Sequence, residues 1–218
     1  MVVVRNMNQL KLREIQNTLP AEVTLIAVSK KHSKAEIDEA YRCGCRIFAE
    51  SRVQELKEKY DPAYEWHMIG HLQRNKVKDV VGLVTMIQSL DSSALAMEIE
   101  KQCAKREIIM PVLIEVNIAE ESTKSGLTPE DALRLIAECA DLPHVDVQGL
   151  MCIGPHDDDV KHITECFTKM HALYLEAQHR FTAEKIRILS MGMSDDYPLA
   201  LACGSNMIRL GRIIMGKR

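Results

Sequence analysis

The sequence predicts an α/β protein, a single (β/α)8 barrel of the TIM type with an extra N-terminal helix. Short apolar, strand-like runs recur eight times, and segments of helical periodicity separate consecutive runs. Parallel neighbours need crossover connections, which helices supply, so this alternation argues for a parallel sheet. Closure is favoured over an open doubly wound sheet because there are eight units and no run leads into a G-x-G-x-x-G turn. The 218 residues are compact for a barrel and read as one domain, 1–218.

Taken in order, residues 5–19 read as an amphipathic helix ending at Pro20. The first strand is VTLIAV at 23–28, expected to run on to Lys30, and Ser33 caps the helix that begins KAEI. Strands two, three and four are RIFA (46–49), EWHMI (65–69) and MIQSL (86–90). Ser92 caps a helix over 93–106, and strand five is MPVLIEVNI at 110–118. Thr128-Pro129, with Glu130 and Asp131 behind it, opens the next helix. Strand six is VQGLMCI (147–153), strand seven KIRILSM (185–191) and strand eight MIRL (207–210). Ser194, followed by Asp195 and Asp196, is expected to open the helix between the last two. No Gly/Ser/Pro linker divides the chain.

Composition narrows the function. With 28 Lys+Arg against 31 Asp+Glu the net charge is −3, which offers nothing to nucleic acid or an anionic membrane. Aromatic residues, at 4%, are too few for a base-stacking surface. The N-terminal apolar run breaks at Arg5, and no stretch approaches the ~18 apolar residues of a membrane span. Seven scattered cysteines, an odd number, point to a reduced, cytoplasmic setting. A monomer is expected.

In a barrel of this kind the working face lies at the C-terminal ends of the strands, and phosphate is often held after strands seven and eight. There the chain places Lys30, the turn Ser190-Met191-Gly192-Met193-Ser194-Asp195, then Arg209 and Gly211. A glycine turn leading into a serine is a natural anion site. Arg209 and Gly211 are two apart and face the same way on a strand. An amine, a phosphate cradle and a guanidinium are together what pyridoxal 5′-phosphate (PLP) would use. Each part also has a plainer reading: a solvated lysine, a turn with its cap, an arginine paired with a buried carboxylate. Alternation does not choose between Lys30 and Lys31, since both faces of a barrel strand are buried.

Other candidates are weaker. His67 and His71 are split by Gly70 between strand and helix, so no metal pair is expected. Either His67 lines the pocket or it is a core histidine. HDDD at 156–159 reads as an acidic helix start. Glu115 and Asn117 share a face of strand five and either open onto the mouth or satisfy interior hydrogen bonds.

The segments LIAVSKKHSKAEIDEAYRCGCRIFAESRVQELKEKY, WHMIGHLQRNKVK, VLIEVNIAEESTKSGL and SMGMSDDYPLALACGSNMIRLGRIIMG resemble the YggS/PROSC family of PLP-binding homeostasis proteins, from Leu25 to Gly216. The resemblance implies a fold-type III PLP barrel, like that of alanine racemase without its second domain. It implies Lys30 as the Schiff-base lysine, Ser194 with the backbone of Gly211 and Arg212 at the phosphate, and Arg209 at the ring nitrogen. Three positions depart from the family pattern: Ser51 in place of asparagine, Asn206 in place of threonine, and Arg212 in place of a small hydroxyl residue. The Arg212 side chain either pairs with the phosphate or, as favoured, points to solvent.

A guanidinium only donates, so Arg209 would face an unprotonated ring nitrogen and leave the ring a weak electron sink. Racemisation needs a second acid/base group opposite the lysine. None of Tyr41, Tyr60, Tyr64, Tyr174 and Tyr197 stands at a predicted strand end in the racemase manner. Tyr197, the nearest in sequence, reads as packing. No catalytic residue is assigned, and a PLP carrier serving apo-enzymes and vitamin B6 balance is favoured over a weak amino-acid racemase.

Overall fold

The apolar runs become the staves of a closed barrel, strands one to eight in sequence order and all parallel. The computed structural model describes residues 8–121, 125–155 and 157–216. The strands are β1 (Thr24–Val28), β2 (Ile47–Glu50), β3 (Glu65–Met68), β4 (Met86–Leu90), β5 (Met110–Val116), β6 (Val145–Cys152), β7 (Ile188–Ser190) and β8 (Met207–Leu210). The helices are α1 (Gln9–Thr18), α2 (Lys34–Arg42), α3 (Val53–Lys59), α4 (Val77–Val80), α5 (Ser93–Ala104), α6 (Pro129–Glu138), α7 (Val160–Phe181), α8 (Tyr197–Ala202) and α9 (Arg212–Met215). Barrel closure pairs β8 with β1, setting Arg209 opposite Ile26. No helix among the described residues is long and apolar enough to cross a membrane.

The caps at Ser33, Ser92 and Thr128 form as the sequence implies, the first as a full capping box with Glu36. The N-terminal helix is α1, capped by Asn8, with Leu12 and Ile15 buried; residues 5–7 of the expected helix lie outside the described residues. Strand seven is shorter than expected, β7 covering only Ile188–Ser190 of 185–191, and two further expectations shift. Strand β1 stops at Val28, short of Lys30, because Lys31 turns the chain with φ 65. Helix α8 starts at Tyr197 rather than behind Ser194. The Ser194 hydroxyl is taken by two N–H groups of the β8–α9 junction, and the Asp196 carboxylate accepts the Met193 N–H.

Alternation along the strands sorts the interior into layers. Phe48, Trp66, Ile87, Val112 and Ile208 point outward into the core beneath the helices. Each fully buried aromatic there contributes about 2–3 kcal/mol. Ile26, Ala49, Met86, Leu113, Met151 and Met207 point inward as an apolar plug. Two residues on, the inward positions become Val28, Ser51, Gln88, Glu115, Ile153 and Arg209, and the layer turns polar. Two further on stand Lys30, Asn117 and Gly211, at the mouth.

Candidate cofactor-binding site

At that mouth a cavity of about 750 Å3 is lined by Lys30, Ser194, Arg209, Gly211 and Arg212, the five residues singled out in the sequence. Its far wall is formed by Pro155, Asp157 and Asp158 after β6 with Val160 and Ile163 at the start of α7.

The turn carrying Lys30 is clamped from beneath. Buried Ser29 donates its N–H to Ala49 O (3.0 Å) and its hydroxyl to Glu50 Oε1 (2.8 Å). Lys59 Nζ, at the end of α3, donates to Ser29 O (3.0 Å), Glu50 Oε1 (2.9 Å) and Glu55 Oε2 (2.8 Å). Glu55 Oε2 also accepts the Lys31 N–H (2.7 Å), so the backbone is held on both sides of Lys30. Burial pushes the Glu50 carboxyl up, although Lys59 and Ser29 oppose it. Desolvation would raise Glu55 too, but Lys59 and the Lys31 N–H bring it below the usual carboxylate value. Sequence reasoning missed this clamp; only the helical spacing of Glu55 and Lys59 hinted at it.

The turn after β7 needs Gly192. Its φ is +98, and a Cβ there would stand 2.7 Å from that of Ala200. Ser194 Oγ accepts N–H bonds from Gly211 and Ile213, both at 3.3 Å, so its own proton is left to donate elsewhere. The Arg212 side chain is mostly exposed and pairs with Asp195.

Arg209 is buried across the barrel axis. Nη1 donates to Ser190 Oγ (2.6 Å) and Nη2 to Cys152 O (2.8 Å). Ser190 Oγ donates to Gln88 Oε1 (2.8 Å), and Gln88 Nε2 lies 2.9 Å from His67 Nδ1. Because Arg209 can only donate, every link runs one way: His67 Nδ1 accepts, and its proton sits on Nε2, 3.4 Å from Glu65 Oε1. Burial lowers the pKa of Arg209, opposed by Cys152, Asp196 and Glu115.

The remaining candidates sort themselves. His67 is a buried core histidine, not a lining residue, and exposed His71 pairs with Asp91 (3.1 Å). No three potential metal ligands converge among the described residues. Asp159 caps α7, as expected for an acidic helix start; His156 lies outside the described residues. Asn206 is structural, its Oδ1 accepting Leu189 N–H (2.8 Å) and its Nδ2 donating to Arg187 O (2.7 Å), at the entry of β8. Tyr197 packs against the core. Ser51, Glu115 and Asn117 line a second, smaller cavity beside the first.

The donor set suits a phosphorylated aldehyde: an amine, a hydroxyl with a free proton at the β8–α9 junction, and a guanidinium, around a space large enough for one aromatic ring. A family model described as "Alanine racemase, N-terminal domain" matches residues 8–218. A pyridoxal phosphate homeostasis protein of Helicobacter pylori is 40% identical over 198 residues, covering 88% of this chain and 86% of that protein. The structure of PipY from Synechococcus elongatus with PLP bound superposes with a TM-score of 0.89 at 33% identity, covering 95% of this chain and 99% of that one. An alanine racemase of Clostridium difficile shares the fold at 17% identity and TM-score 0.76, over 98% of this chain and 58% of its own. The chain therefore belongs to the pyridoxal phosphate homeostasis protein family, within the alanine racemase N-terminal-domain group.

Proposed function

We propose that the larger cavity binds pyridoxal 5′-phosphate, with Lys30 as its covalent anchor, and that the protein carries this cofactor in the cytoplasm, supplying apo-enzymes and keeping vitamin B6 and amino-acid pools in balance. The observation that carries the reading is that Lys30, Ser194, Arg209 and Gly211 line one cavity. Ser194 Oγ, already accepting two N–H groups, donates to a phosphate oxygen, with the backbone of Gly211 and Arg212 alongside. Arg209 donates to an unprotonated ring nitrogen. When bound, the cofactor supplies an electrophilic carbon for amines and an electron-withdrawing ring.

Holding is favoured over turnover by what surrounds Lys30. Arg209 keeps the ring a weak electron sink. Asp195 is engaged by Arg212, Asp196 by the Met193 N–H, and Asp157 by His162. A second reading, weak amino-acid racemase, draws on Glu115, whose burial pushes its carboxyl up to about 7, suited to proton transfer. Chiral chromatography of L-amino acids incubated with the loaded protein separates the two. A carrier leaves the D-isomer at the level of the protein-free control, and steady D-isomer formation contradicts it.

A further inference from the structure

The smaller cavity, about 340 Å3, opens at the ends of β2, β3, β5 and β6, and Ile69 walls it off from the larger one. Neither the anchor nor the phosphate cradle uses it. Glu115 lines it, only 4% exposed, and its Oε2 has no hydrogen-bond partner among the described residues. A buried carboxylate oxygen normally finds a donor, and an orphan is costly. Two neighbouring polar groups are engaged elsewhere: the Asn117 side chain brackets the Glu121 backbone (2.8 and 3.2 Å), and His71 Nδ1 is at Asp91; the Ser51 and Ser125 hydroxyls also line the cavity. Ile69, Gly70 and Ile153 make the walls apolar.

The slot therefore holds a buried carboxylate with one oxygen unpartnered among the described residues, between apolar walls and the Ser51 and Ser125 hydroxyls. Asp91 and Glu121 add negative charge nearby, which disfavours a ligand bearing a carboxylate. A metal ion would want several oxygen or nitrogen ligands, whereas an ammonium is served by one carboxylate. We propose that this cavity is a subsite for the ammonium group of a small primary amine, with the Glu115 carboxylate as its counter-ion. Its use rests on the cofactor reading, since an amine held there stands beside the Lys30 cavity, where an amine competing with Lys30 for the cofactor would arrive.

Glu115 is faced by Asp91 from the β4 end, His71 from the β3 end, Arg209 from β8 and Glu121 from its own loop. Burial and Asp91 raise its carboxyl to about 7, while Arg209 and His71 pull the other way. The amine stays protonated through pH 8, as a lysine does.

The test titrates n-propylammonium, and n-propanol as its neutral match, into the full chain, following the amide resonances of Gly70, Asn117 and Ile153 by NMR. Saturable shifts are expected with the ammonium alone, with affinity rising about tenfold from pH 6 to pH 8 as the carboxylate ionises. Glu115→Gln, which keeps the side chain's shape, should weaken binding by about tenfold or more. An equal response to n-propanol, an affinity flat in pH, or undiminished binding by Glu115→Gln overturns the proposal; the first two need only the wild-type chain. Visible absorption of the same samples with added PLP reports Lys30 separately, so failure of the amine site and failure of the cofactor reading are told apart.

Discussion

Lys59 Nζ gathers three oxygen acceptors at the heel of the turn that carries Lys30. Removing it strands Glu50, fully buried, without its cation, a change that costs about 3–5 kcal/mol. Lys59→Met should lower the urea midpoint accordingly, and Glu50→Gln added to it should restore much of the loss. A non-additive double-mutant cycle marks the clamp; additive effects would mean the pair is not coupled. Glu115 should behave in the opposite sense. Its ordinary value is 4.5 and its folded value about 7, so folding favours the neutral acid. The resulting penalty is absent below pH 4.5 and complete once pH has risen past 7. Thermal melts should therefore show Glu115→Gln more stable than wild type by roughly 2–3 kcal/mol at pH 8 and little changed at pH 4. Lys59's role was not legible beforehand, and for Glu115 the sequence left open whether it faces the mouth or the interior. The clamp joins β1, β2 and α3, and the burial of Glu115 depends on which face of β5 turns inward.

At the scale of elements, the loops after β7 and β8 were readable because Gly192, Ser194 and Gly211 carry turn chemistry in their residue types. What the hydroxyl of Ser194 does was not readable: it ties the β7 loop to the start of α9 instead of capping α8. The hydrogen-bond line through β3, β4, β7 and β8 is likewise tertiary, since it joins His67, Gln88, Ser190 and Arg209 across the barrel. Its direction gives a prediction. The 15N spectrum of the His67 imidazole at neutral pH should show a protonated Nε2 and a bare, hydrogen-bonded Nδ1; the reverse tautomer would break the scheme. His67→Asn, which can keep an acceptor near the Nδ1 position, should be milder than His67→Leu, which leaves a buried Gln88 donor unpaired at a cost of about 1–3 kcal/mol in chemical denaturation.

For the molecule as a whole, eight alternating units carried the barrel, because a parallel sheet leaves so few ways to connect its strands. The working face followed from that topology, and the five residues singled out there do line one cavity. Between Lys30 and Lys31, the layers set only which one faces the cavity. Ile26 belongs to the inner plug, Val28 and Lys30 line the cavity above it, and Lys31 is exposed. The central claim is that Lys30 anchors PLP in a pocket whose phosphate cradle and ring partner come from the ends of β7 and β8. The visible absorption spectrum of wild type and Lys30→Ala with added PLP, before and after borohydride reduction, tests it most directly. Wild type should gain a visible band that reduction abolishes while fixing the cofactor to the chain, and Lys30→Ala should show neither. A band of undiminished intensity in Lys30→Ala, or a reduced cofactor mapped to another lysine, would contradict it.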